Sequence, residues 1–330
     1  NGLTEVEVEA GNKDFMAIDG VLYRKKTVTV DGVAKDIPTE LLLYPVAKTG
    51  ESFTIPSTVT VIGGVNFGGT TTNHNTPLKS NINTAFSRNA SLKTLTVPSS
   101  VTTIGDYAFS GCKGVESVVL PDSVKSIGNY AFYNCLNNAE IVLNDGLESI
   151  GKWAFCNNGA VTSVVIPQSV TYVGEYAFRK CVSLKNILVR GSLDVLSRNA
   201  FYYSNAVTVY IEGNAAGENW HPSWNISFRP VVYGCEFSED GRYVKSITVS
   251  TIDNPDAIGP MTKIEIDEDG FEVEKTVYRA NFSEPMRAGY VFGGYATEEN
   301  GTKVYDKLTD VPSGTKVYVV WTISDGSENK

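Results

Sequence analysis

Two histidines, His74 and His221, and five cysteines, Cys112, Cys135, Cys156, Cys181 and Cys235, are the side chains best suited to nucleophilic or metal chemistry in this chain of 330 residues. A thiol or hydroxyl nucleophile needs a base within hydrogen-bond reach, and structural zinc needs paired ligands at close spacings such as C-x-x-C. Neither pattern occurs. His74 lies in the Gly/Thr/Asn-rich run Gly68 to Asn75 and His221 in Trp220-His221-Pro222, so a shared dyad is not expected. The chain also lacks a G-x-S-x-G elbow, H-E-x-x-H, a phosphate-binding G-x-x-x-x-G-K-[ST] loop and G-x-G-x-x-G. Paired carboxylates are uninformative, because 37 Asp and Glu give many chance pairs. The expectation is a non-enzymatic protein with no cofactor and no metal. With 28 Lys and Arg the net charge is -9, which argues against nucleic acid as a partner, since phosphate binding needs a basic face.

Recognition is the chemistry left, and two series of residues at fixed spacing could perform it. Thr96, Val119, Val142, Val165, Leu188 and Tyr210 step by 23 residues and finally by 22, and form a candidate apolar strip for a protein partner. Tyr107, Tyr130, Trp153 and Tyr176 also step by 23, and form either a structural stack of rings or a platform for sugar or protein. A carbohydrate-binding role through this aromatic column, or through Trp220 and Trp224, is the rival reading.

Columns of this kind require an element that repeats with the same period. Ala-Phe recurs at 85–86, 108–109, 131–132, 154–155, 177–178 and 200–201, again every 23 residues. Short β-rich runs such as Leu95-Thr96-Val97 and Val164-Val165-Ile166 keep the register, and Pro98, Pro121 and Pro167 end them. A unit of this length cannot bury its own apolar side, so the units must stack as a solenoid, with parallel strands on one wall and Ala-Phe on the opposite one. Asn89, Cys112, Cys135, Asn158, Cys181 and Ser204 share one column, where thiols serve as small buried groups with weak hydrogen bonds. Pro56, Ile62-Gly63 and Phe67 fit one rung, and Gly68 to Asn75 then reads as an inserted surface loop.

The register I-x-L-P-x-S-V-x-x-I-G-x-x-A-F-x-x-C resembles the BspA-type leucine-rich repeats of bacterial surface proteins, over about residues 14–228. The resemblance implies an extracellular or cell-surface location and a role in adhesion. The segment from Asp14 to Gly50 resembles the unit that opens such arrays, so residues 1–50 are read as the N-terminal cap. Residues 51–230 are read as repeats ending in a closing cap, where Asn219-Trp220-His221-Pro222-Ser223-Trp224 supplies the polar outer side.

Beyond Pro230 the period disappears, and residues 231–330 read as a β-rich module with Asp-Gly turns at 240–241 and 269–270. The acidic string Glu265 to Gly270 lacks the terminal carboxylate of a calcium loop, Thr276 standing in its place, and reads as a solvated hairpin. Pro285 to Tyr295, Gly301 to Asp306 and Lys316 to Trp321 resemble the Listeria-Bacteroides, or internalin B-type, repeat over about 284–322. That resemblance implies a small β-grasp-like spacer or adhesive module. The expected fold class is therefore mainly β: a capped solenoid of 23-residue units followed by a small β-rich domain. No apolar stretch approaches the roughly 18 residues that a membrane helix needs, so no membrane insertion is expected, and the opening Asn1-Gly2-Leu3-Thr4 reads as a mature or truncated start.

Overall fold

The computed structural model describes residues 2–63, 85, 86, 88–115, 117–135, 140, 141, 143–204, 207–213, 217–225, 230–249, 261–266, 272–277 and 284–324. Among them there is no α-helix; Leu308–Asp310 is a single 3-10 turn.

The 23-residue period becomes a solenoid because each apolar column can be buried only by the next rung. One ladder consists of the two-residue strands Val61–Ile62, Thr103–Ile104, Ser126–Ile127, Ser149–Ile150, Tyr172–Val173 and Val195–Leu196, all parallel and paired in sequence. In the sequence this ladder shows only as an apolar column, since two residues are too short for a strand pattern. A second ladder carries the β-rich runs. Ser52–Thr54, Thr94–Thr96 and Ser117–Val118 form one stretch of it, and Glu140–Ile141, Ser163–Ile166, Asn186–Val189, Thr208–Ile211 and Val231–Val232 another. Its last strand, Val231–Val232, lies past residue 230, where the repeats were expected to close.

On the remaining side the backbone joins rungs at alternate residues. The N–H groups of Tyr107, Phe109 and Gly111 donate to the carbonyls of Asn129, Ala131 and Tyr133 at 2.9, 2.7 and 2.8 Å. The phenyl rings follow the same step: Phe86, Phe109, Phe132, Phe155 and Phe178 stack at 4.9 to 5.3 Å between centroids, all buried. Two repeated motifs have equally local causes. In P-x-S-V, the carbonyls of Pro98, Pro121 and Pro167 accept from the N–H three residues on, closing a turn. Ser100, Ser123 and Ser169 then donate from Oγ to the carbonyls of Val59, Val101 and Leu147 on the rung behind.

The first rung corrects the sequence reading. Its strands Ser52–Thr54 and Val61–Ile62 pair with the next rung at a separation of 42 residues instead of 23, and Phe86, not Phe67, takes the ring position beneath Phe109. The extra residues therefore fall between Gly63 and Ala85. The expected loop Gly68 to Asn75, with His74, lies outside the described residues.

The N-terminal cap is a sheet of Phe15–Ile18, Val21–Val30 and Val33–Leu43, whose last strand joins the first ladder through Glu40 and Leu41. At the other end Trp220 is buried, donates from Nε1 to the Leu193 carbonyl at 2.7 Å and meets Trp224 edge to face. The chain then enters an antiparallel sheet in the order Cys235–Phe237, Val244–Thr248, Lys316–Ile323, Tyr290–Ala296. The expected turn at Asp240-Gly241 joins its first two strands, with Gly241 at φ +69°. Met261–Ile266 and Glu272–Val277 pair as the expected hairpin, while 267–270 lie outside the described residues.

Candidate functional site

Alternation along each second-ladder strand decides which residues leave the core. In Ser163–Ile166, Val164 and Ile166 are buried and Val165 points outward, half-buried. The same parity carries the whole column outward, but the column is not one continuous surface. Thr96 is exposed and Val119 is 77% exposed. Val142 lies outside the described residues. Val165 packs at the margin of a second hydrophobic cluster, and Leu188 and Tyr210 fall inside it with only 3% and 1% of their surface exposed.

The expected strip is thus corrected at Leu188 and Tyr210: these side chains are interior. Val232 continues their column, and Cys235, Val244, Ile247, Tyr295, Val311, Val317 and Val319 of the C-terminal region cover it. Asn186, outward on the same strand as Leu188, donates to the Glu284 carbonyl at 3.1 Å. Burial raises the phenol pKa of both Tyr210 and Tyr295.

The aromatic column is a stack. Tyr107, Tyr130, Trp153 and Tyr176 lie at successive centroid distances of 4.8, 5.7 and 4.6 Å, so Tyr130 and Trp153 have a ring against each face. All four residues have φ near +57°, a left-handed conformation that costs a bulky side chain energy. Their N–H groups are used between rungs, Tyr130 and Trp153 donating to the carbonyls of Lys152 and Glu175 at 2.9 Å, which fixes that conformation. A pyranose needs an open ring face, whereas this column turns ring edges outward. Partial burial pushes the Tyr130 phenol up to about 12.

The Asn/Cys/Ser column is structural. Asn158 Nδ2, Cys181 Sγ and Ser204 Oγ donate to the carbonyls of Phe132, Phe155 and Phe178 at 2.9, 3.3 and 2.8 Å, and Cys112 Sγ does so to Phe86. Burial raises these thiols, Cys112 and Cys181 to about 12. Cys156, off this column, is also buried and hydrogen-bonds Arg179. His221 accepts from the Ser223 N–H at Nδ1 within the cap. Among the described residues no cluster of three His, Cys, Asp or Glu could hold a metal ion, and no helix is long and apolar enough to cross a membrane.

Arg179 is the residue that sequence reasoning missed. Its column reads Ser110, Tyr133, Cys156, Arg179, Tyr202, with no repeated type to draw notice. Only the stacking of rungs brings it over Trp153, Tyr176, Tyr202 and Tyr203.

Comparison with known proteins agrees with this architecture. A search of curated proteins finds no match. Among solved structures, a leucine-rich repeat protein from Eubacterium ventriosum is 29% identical, with a TM-score of 0.48 over 62% of this chain and 47% of that one. The pneumococcal vaccine antigen PcpA is 20% identical, with a TM-score of 0.41 over 72% and 45%. The leucine-rich repeat protein TpLRR of T. pallidum is 22% identical, with a TM-score of 0.41 over 64% and 86%. The chain spans about half the length of the first two. Residues 79–208 match the BspA type leucine-rich repeat region in six copies, and the rungs over that span are repeats of this type.

Proposed function

We propose that this chain is a non-enzymatic module of an extracellular or surface-attached bacterial protein, and that it recognises a protein partner through the open part of the solenoid's outer column, at Thr96 and Val119. One observation carries the reading. The column that is open at Val119 is, three to five rungs further on, packed against the apolar side of a β-sheet at Leu188, Tyr210 and Val232. A face with that proven capacity, left bare at one end, is what an interface between proteins needs. The repeat family supports the surface location, and the residues resembling an internalin B-type repeat fit a spacer or adhesive role for 284–322.

The carbohydrate reading gains nothing from the geometry. Trp220 and Trp224 pack in the closing cap, and the aromatic column has its faces covered. The test is binding of the labelled protein to a panel of extracellular matrix proteins and polysaccharides, beside Val119→Asp. Its side chain is largely in solvent, so the melting temperature should hardly move, while binding to a protein partner should fall about tenfold or more. Protein binding untouched by Val119→Asp, or binding to polysaccharide alone, would rule the column out.

A further inference from the structure

Arg179 extends from the ring-bearing side of the solenoid into a nest of aromatic side chains. Its guanidinium carbon lies 5.0 Å from the Trp153 centroid, 5.4 Å from Tyr203 and 5.9 Å from both Tyr176 and Tyr202. The guanidinium also hydrogen-bonds the Cys156 thiol, and among the described residues no carboxylate pairs with it. Rings around a planar cation hold it in one orientation, so a ligand that engages its N–H edge does not have to freeze a loose side chain. The site is open to solvent: Arg179 is half-buried, Tyr203 is 46% exposed, and Lys180 beside it is exposed.

We propose that Arg179, with the phenol of Tyr203 and the ammonium of Lys180, forms a carboxylate-binding site that takes Asp or Glu side chains of an acidic protein segment. The fixed fork of guanidinium donors matches a carboxylate in geometry as well as charge. Trp, Tyr and Arg are the residue types that dominate binding energy at protein interfaces. A peptide is favoured over an acidic sugar because Tyr202 and Tyr203 lie 4.2 Å apart and Arg179 sits over both, which leaves donors rather than open ring faces. The site lies away from the outer column at Val119 and stands or falls independently of it.

The experiment is titration of the full chain with an acetylated oligoglutamate peptide, with oligoserine and oligogalacturonate as comparisons, followed by Trp fluorescence and calorimetry. Saturable binding of oligoglutamate that weakens with added salt is expected. Arg179→Met should lower the affinity about tenfold or more, and Arg179→Lys, which keeps charge and stem but not the fork, should also weaken it. Tyr203→Ala should weaken binding at an unchanged melting temperature, because its ring is largely in solvent. Absence of saturable binding, an affinity unchanged in both Arg179 variants, or tighter binding of oligogalacturonate than of oligoglutamate would overturn the proposal.

Discussion

Cys112, Cys181 and Ser204 perform one task with two chemistries: each reaches back to the carbonyl of the phenylalanine a rung behind. The thiols do so from inside the core, where burial raises their pKa, for Cys112 from 9.0 to about 12. A group whose folded pKa lies above its unfolded value keeps its proton longer in the native state. Its stabilising contribution is complete below pH 9 and is lost as pH rises from there towards 12. Urea midpoints should therefore fall steadily across that window. Cys112→Ser preserves the donor and removes the titration, so its midpoint should fall with a shallower slope, by about one proton. Equal slopes for the two proteins would show that this thiol ionises in the folded state as readily as in the unfolded one.

At the scale of the element, rung spacing is set by glycine. A Cβ added at Gly151 would lie 2.6 Å from the carbonyl carbon of Gly128 and 2.7 Å from the Asn129 nitrogen, and Gly174 meets the next rung in the same way. Here the I-G pair of the repeat marks a close approach of two backbones, not a turn. Gly151→Ala must push two rungs apart and should cost about 1 to 3 kcal/mol, read from thermal unfolding. Gly159→Ala is the comparison, since its new methyl would meet only Val182 Cγ2 at 3.5 Å and should be nearly neutral. The aromatic column shows the same logic reversed: Tyr107, Tyr130, Trp153 and Tyr176 accept a left-handed backbone because their N–H groups must point to the next rung.

For the whole molecule, the covered end of the outer column joins solenoid and C-terminal sheet through one core. Leu188 belongs to a rung by sequence and to the second cluster by contact. Leu188→Ala should cost about 2 to 5 kcal/mol. Hydrogen exchange should quicken in Val244–Thr248 and Lys316–Ile323 as well as in Asn186–Val189, because all three bury residues of that cluster. Loss of protection confined to Asn186–Val189 would mean that the sheet holds without the solenoid's support.

The period of 23 was enough to determine the solenoid, the ring column, the roles of the prolines and the cap tryptophans, because each rests on contacts between neighbouring rungs that repeat in the chain. The hairpin around 269–270 and the turn at 240–241 were legible for a similar reason, both being local. Three features were not. Phe86 replaced Phe67 because a rung can be completed from the far side of an insertion, which spacing alone does not reveal. Leu188 and Tyr210 went from surface to interior because residues a hundred positions later fold over them, and alternation in a strand fixes only which way a side chain points. Arg179 found its four rings through rung stacking, from a column with no repeated type. Short-range periodicity determined the scaffold, and only the tertiary structure decided which parts of its surface stay open to a partner, since burial depends on what arrives from elsewhere in the chain.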